Sequence, residues 1–141
     1  MSALTKVFTR TNAFLFQLTG GRLGSQMGKQ SVLLLYTVGR KSGKAYVTPL
    51  SYYRDGENYL VVASNWGKEN DPDWFRNLAP RTHTTIQAKE ATIQVEARPA
   101  EGDEYQRLWK LVTSQNSQYL QYQQAITRPI PIMILAPVTS N

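Results

Sequence analysis

The sequence predicts a mainly β fold, an antiparallel barrel closed or nearly closed on itself, with a few helices as decoration. Three observations predict it. From Val32 onward, short runs rich in β-branched, aromatic and aliphatic residues follow one another, about six in all. Glycine-bearing turn signals join several of them directly, as in hairpins. Strand and helix patterns do not alternate, which argues against a parallel βαβ sheet. At 141 residues the chain predicts a single domain, 1–141, whose core needs no metal or disulfide staple, and no repeat, linker or low-complexity tract divides it.

In chain order, residues 1–20 place Leu4, Val7, Phe8, Leu15 and Leu18 at helical spacing, with Lys6 and Arg10 nearby and Gly20-Gly21 as a stop. This predicts an amphipathic helix with two open uses. Packing on the domain or lining the ligand site is favoured, because basic charge is sparse for an anchor; weak association with an anionic membrane surface is the alternative. The barrel core is expected over 32–137. Val32 to Tyr36 and Tyr46 to Leu50 read as strands closed into a hairpin by Val38 to Lys44, and Asp55-Gly56 turns Leu50 to Tyr53 into Tyr59 to Ala63. A short helix follows, with Asp71 as cap, Pro72 at its first position and Asp73 complementing the dipole. Thr82 to Ala88 and Ala91 to Ala97 pair across Lys89-Glu90. Glu101 opens a helix whose Tyr105, Leu108, Trp109 and Val112 share one face. After a polar, tyrosine-bearing stretch from Ser114 to Gln124, Arg128 to Leu135 reads as the last strand, its prolines early where an edge or strand start tolerates them.

Composition narrows the chemistry. The chain has no cysteine, which removes disulfides, thiolate metal sites and cysteine nucleophiles, and a single histidine, His83, which excludes a multi-histidine metal centre. His83 itself reads as an ordinary strand residue, and no metal site is expected. With 16 basic against 10 acidic residues the net charge is +6, which suits a polyanionic partner: nucleic acid, an anionic membrane or a phosphorylated cofactor. Apolar runs are too short to span a bilayer and no cleavage site follows a hydrophobic N-terminus, so a soluble, cytoplasmic protein is expected, at most peripheral to the inner face of a membrane. Neither a dinucleotide fingerprint nor a P-loop is present.

The densest chemical signal is the turn between the first two strands. Arg40, Lys41 and Lys44 stand on it, Gly39 and Gly43 permit positive φ or close approach, and Ser42 adds a neutral donor. A phosphate or carboxylate fits such a grip. A solvated basic hairpin tip is the competing reading, about as weighty from this motif alone.

Several motifs then co-occur in order: Leu34 to Lys44, Thr48-Pro49-Leu50, Val61 to Ser64, Asp71 to Leu78, and Tyr119-x-x-Tyr122 running on to Arg128-x-Ile130-Pro131. Together they resemble the deazaflavin-dependent nitroreductase family from about Leu33 to Pro137. The resemblance implies a split β-barrel related to the FMN-binding barrels, and hydride transfer from reduced coenzyme F-420 to an electron-poor acceptor such as an enone, quinone or nitro compound. It implies that Arg40, Lys41, Ser42 and Lys44 hold the phosphodiester of F-420, that Val62, Ala63 and Ser64 approach its ring, and that Pro49, Trp74, Arg76 and Asn77 belong to cofactor-side motifs. By spacing, Trp74 is equally a core residue. Tyr119 and Tyr122, one helical turn apart, are implied to line the acceptor site and, with Ser64 or water, to orient the acceptor or supply a proton; packing with a bonded hydroxyl is the other use of such tyrosines. Two positions depart from the pattern. Trp66 follows Ser64 where small residues are commoner, so it can narrow or stack on the pocket, and Asn116 stands where a tyrosine can occur, so activity on nitroimidazole prodrugs does not transfer. An FMN-dependent reductase, a cofactor carrier and a nucleic-acid-binding barrel remain as alternatives; with F-420 as ligand no nucleic acid is expected. Oligomeric state is left open.

Overall fold

Both hairpin signals form turns in the computed structural model, which describes residues 31–138. The helix expected over 1–20, with its membrane or packing role, lies outside those residues. Strand β1 (Ser31–Val38) turns into β2 (Ala45–Asp55), and β2 turns into β3 (Asn58–Val62). After a short helix α1 (Asp73–Leu78), β4 (His83–Ala88) and β5 (Ala91–Pro99) form the third hairpin. Helices α2 (Gly102–Gln115) and α3 (Gln118–Ala125) then lead to β6 (Ile132–Pro137). All neighbours are antiparallel, and the order β1-β2-β3-β6-β5-β4 closes because β4 pairs back onto β1, Leu35 opposite Ile86. Closure removes the exposed sheet edges that an open six-stranded sheet would present.

The period of two along each strand divides the core into two layers. Leu33 and Leu35 on β1, Val61 on β3, Ile86 on β4, Val95 on β5 and Leu135 on β6 point inward and fill the barrel, each at most 1% exposed. On the outer face of β3 and β6, Leu60, Ile132 and Ile134 meet Leu108 and Val112 of α2, so the helices are held by a second apolar layer. The face read for α2 is thus half core: Leu108 and Val112 are buried, while Tyr105 and Trp109 stack at its margin with ring centres 6.0 Å apart.

Some boundaries differ from expectation for local reasons. Pro72, not Asp71, occupies the cap position of α1, with extended dihedrals and no side-chain cap bond. Asp71 is drawn away by Arg128, 2.9 Å from its carboxylate, because an ion pair outweighs a single cap bond. β6 begins at Ile132, so Pro129 and Pro131 precede the strand, and only Pro137 lies in it, at its end. The tyrosine-bearing stretch is helical, as α3. His83 is a strand residue opposite Glu96, with Nδ1 3.3 Å from that carboxylate.

Two ion pairs pin α2 to the barrel. Arg107 donates to both carboxylate oxygens of Asp55 at 2.9 and 3.0 Å, and Arg98 to those of Glu104 at 2.7 and 3.1 Å. The arginine hydrogen bond, opposed by desolvation, holds each carboxyl below its ordinary value. A depressed folded pKa contributes stability that is present above the unfolded pKa and lost as pH falls through the folded one. Melting temperature should therefore fall below about pH 4.5, and the double variant Asp55→Asn, Glu104→Gln should flatten part of that slope. The pairs are solvent-screened, so the difference should shrink in high salt. A double variant that melts with the wild-type pH slope at low salt would show that neither pair contributes.

Candidate functional site

The turn from β1 to β2 is built by its two glycines. Gly39 N–H donates to the Lys44 carbonyl at 2.7 Å and its own carbonyl accepts from Gly43 at 2.9 Å. Gly43 sits at φ +72°, open to glycine and costly for most side chains. Gly39 is needed for space instead, since a Cβ there would lie 2.7 Å from Ser42 Oγ and 2.9 Å from the Tyr46 ring. This closed turn sets Arg40, Lys41 and Ser42 against α1. Asn77 of α1, 4% exposed, accepts at Oδ1 from both Arg40 N–H (3.1 Å) and Arg40 Nη1 (2.8 Å). Asp73 Oδ1 lies 3.4 Å from Arg40 Nη2. Arg40 is thereby held at its backbone and at its guanidinium, which lines the cleft with donors to spare.

These groups line a cleft of about 380 Å³ at the barrel mouth. The inward rows of β1 and β2 turn polar where they reach it: Leu33 and Leu35 are followed by Thr37, and across the ladder Leu50 is followed by Thr48 and Tyr46. Thr37 Oγ1 is buried with no hydrogen-bond partner, a costly state that a bound acceptor or donor would relieve. A fixed guanidinium, one further cation at Lys41, neutral hydroxyls and an unsatisfied one make a donor set suited to an oxyanion such as a phosphodiester. Thr37, Tyr46, Thr48 and Asp73 were missed by motif reading. Period-two alternation, followed to the polar end of the inward rows, carries the signal for all but Asp73.

Of the residues singled out from sequence, the structure brings Arg40, Lys41, Ser42, Trp74 and Asn77 together around this cleft. Trp74 serves both uses: it lines the cleft and packs with Leu35 and Ala63 inside the barrel. Lys44 is exposed on the same turn, its N–H bonded to Ser42 Oγ at 3.2 Å, but does not line the cleft. Pro49 alternates to the outer face opposite Leu34, and Arg76 lies exposed on α1 outside the cleft.

Val62, Ala63 and Ser64 form a second group at the end of β3. Val62 packs against the helices while Ala63 faces the barrel interior. Their backbone is largely spoken for. Ala63 N–H donates to Pro131 O at 2.9 Å, and Arg128 donates to the carbonyls of Ala63 and Ser64, both at 3.1 Å. Ser64's hydroxyl is the side-chain group this segment offers. The next residues, Asn65 to Gly67, pack on α3, where a Cβ on Gly67 would lie 2.9 Å from the Tyr122 ring. Tyr122 is half-buried there, 6.5 Å between ring centres from Tyr119. Tyr119 is 7% exposed, in the helix layer rather than at the cleft. Its oxygen accepts from Tyr53 O–H at 3.1 Å, and Asn116 Nδ2 lies 3.5 Å from Tyr53 Oη. Burial, aided by Tyr53, raises the Tyr119 phenol well above the ordinary tyrosine value, so it keeps its proton at any physiological pH.

Comparison with known proteins agrees with the barrel. A family profile described as F420H(2)-dependent quinone reductase matches residues 8–137. An F420H(2)-dependent quinone reductase of Mycobacterium tuberculosis is 35% identical over 130 residues, 89% of this chain and 87% of that protein. A solved F420-H2 dependent reductase superposes with a TM-score of 0.68 at 31% identity, covering 74% of this chain and 92% of that one. A fad-binding protein of Mesorhizobium loti, at 13% identity and a TM-score of 0.54 over 77% of this chain and 79% of its own, shares the fold alone. The profile runs from before the first strand to the last residue of β6, and by that match the chain belongs to the F420H(2)-dependent quinone reductase family.

Proposed function

We propose that this protein is an oxidoreductase that passes a hydride from reduced coenzyme F-420 to a quinone-type acceptor, with Arg40 at the centre of the cofactor grip. The observation that carries the residue assignment is the Asn77-held guanidinium of Arg40 beside the unpartnered Thr37 hydroxyl. F-420, when bound in its reduced form, supplies the hydride; the chain binds, orients and shields. Arg40, Lys41 and Ser42, with Thr37, would hold the phosphodiester, and Lys44 adds charge toward the acidic tail. Asp73 reduces the net positive charge but keeps Arg40 aimed. Trp74 gives the cleft a rigid wall. Ser64, at the end of β3, and Tyr122, against Gly67, would form the acceptor side, orienting the acceptor oxygen or delivering a proton to it. Tyr119, with its strongly held proton, suits a hydrogen-bond donor that orients rather than an acid that transfers. Among the described residues no helix is long and apolar enough to cross a membrane; weak contact of the amphipathic pattern of 1–20 with a membrane surface, where lipophilic quinones partition, is the less favoured use of that segment, since Lys6 and Arg10 are its only cations.

Titrating the full chain with F-420 and with FMN tests the cofactor assignment, which requires the deazaflavin to bind more tightly. Changing Arg40, Lys41 and Lys44 together to alanine should weaken F-420 binding by at least about ten-fold, since charge-assisted hydrogen bonds contribute ~1.5–3 kcal/mol each before solvent screening. Added salt should weaken wild-type binding in the same direction. Wild-type affinity in a folded triple variant would sink the grip.

The tyrosines are tested by Tyr119→Phe and Tyr122→Phe, which remove only hydroxyls. F-420 affinity should stay within a few-fold of wild type in both. Turnover with menadione, followed by the absorbance of reduced F-420, should drop more for Tyr122→Phe, by ~10²-fold if its phenol delivers the proton. Wild-type turnover in both single variants and the double variant would make them packing residues and leave Ser64 or solvent to manage the proton.

A further inference from the structure

Trp66 stands out on three counts. It is 81% exposed, against 45% for the next most exposed large hydrophobic side chain among the described residues, Tyr46. Its backbone is left-handed, φ 59° and ψ 25°, between Asn65 at φ 49° and Gly67 at φ 80°. Asparagine and glycine tolerate that region, whereas a bulky aromatic there is a genuine outlier. The surroundings hold it there all the same. Gly67 N–H bonds Ser64 O at 2.9 Å and Lys68 N–H bonds Asn65 O at 3.0 Å. Asn65 Nδ2 donates to Asn70 O at 3.0 Å. Arg128 clamps the Ser64 and Lys68 carbonyls at 3.1 and 2.9 Å, and Gly67 lies against Tyr122. An outlier that several independent bonds enforce points to function more than to chance.

Its position suggests which function. The loop follows Ser64 directly and its Gly67 rests on the Tyr122 ring, so the exposed indole is carried between the two groups assigned above to the acceptor. Indole is electron-rich and flat, and a quinone fused to an aromatic ring is electron-poor and flat; their faces stack favourably. We infer that Trp66 determines acceptor specificity, its indole serving as a stacking platform for a flat, ring-fused quinone. The inference rests on the quinone-type acceptor proposed above and adds which acceptors are preferred. A rigid loop presenting an aromatic face favours planar acceptors over puckered ones, while a loop bearing a small residue would not discriminate.

The test uses the full chain with menadione as the flat acceptor and cyclohexenone as the puckered one. Trp66→Gly removes the indole while suiting the left-handed backbone, and Trp66→Phe retains a ring. In Trp66→Gly, KM for menadione should rise about five-fold, the worth of one aromatic pair, with kcat and the KM for reduced F-420 little changed. Cyclohexenone kinetics should not move, and Trp66→Phe should recover most of the menadione affinity. Without cofactor, menadione should quench wild-type tryptophan fluorescence saturably, and that component should vanish in Trp66→Gly although Trp74 and Trp109 remain. An unchanged menadione KM in Trp66→Gly, or an equal change for cyclohexenone, overturns the stacking role. Failure of the wild-type chain to oxidise reduced F-420 with menadione, while saturable Trp66 quenching persists, overturns the catalytic reading and leaves the platform standing. Loss of both overturns the two together.

Discussion

A single guanidinium, that of Arg128, fixes the segment on which both ends of the proposed site depend. It donates to the carbonyls of Ala63, Ser64 and Lys68 and pairs with the Asp71 carboxylate, its side chain only 15% exposed. Glu69 adds to the clamp by accepting from Thr127 N–H and Oγ1, both at 3.1 Å. Arginine can do this because its planar fork carries several donors in fixed directions, so one side chain satisfies carbonyls that no regular element would pair. Upstream of the clamp the segment sets Ser64 and Trp66; downstream it delivers Pro72 and α1, and with them Asp73, Trp74 and Asn77. A lysine at 128 would keep the charge and lose the fork.

The cleft proposed for the cofactor follows from that placement. Arg40 lies on an exposed turn, where a free arginine would sample many rotamers, and Asn77 removes that freedom by accepting from its backbone and its guanidinium at once. Ordering entropy is thus met during folding, so less of it falls due on binding. Asp73 beside it carries the opposite charge to a useful degree: it aims the guanidinium through a long, exposed contact too weak to cancel it. The unpartnered Thr37 hydroxyl at the end of an inward row is the matching feature on the barrel side, a polar atom left for a ligand to satisfy.

The two apolar layers divide labour in the same way. The barrel interior, sealed by Leu35, Val61, Ile86 and Leu135, gives the strands that carry the turn and the β3 end a close-packed frame. The outer layer, where Leu108 and Val112 meet Leu60, Ile132 and Ile134, carries α2 and α3 and with them Tyr119 and Tyr122. Tyr53 belongs to that outer layer too, a strand residue whose hydroxyl is bonded to Tyr119. Exchange of Tyr53 would therefore alter the orientation of Tyr119 without touching the cleft.

Local chemistry made most of the fold and half of the site legible in the residues themselves. Hairpins at Gly39 to Gly43 and Asp55-Gly56, the third hairpin across Lys89-Glu90, and the amphipathic face of α2 all follow from short-range turn geometry and periodicity, which a linear chain displays directly. The cluster at the cleft was readable for the same reason, since Arg40, Lys41 and Ser42 are neighbours on one turn. Contacts between distant segments were not displayed. Nothing in the chain's order states that β4 would close on β1, that Asp71 would leave its cap position for Arg128, 57 residues on, or that Asn77 would hold Arg40 across 37. Nor does it state that the Val62 side chain would turn to the helices and Tyr119 be buried with Tyr53. Those outcomes depend on which faces the closed barrel hides and which polar groups it brings within bonding distance, and a buried polar group takes whatever partner the packing supplies. The sequence alone determined the strands, the turns and the charge; closure of the barrel decided which of those charges and hydroxyls share a site.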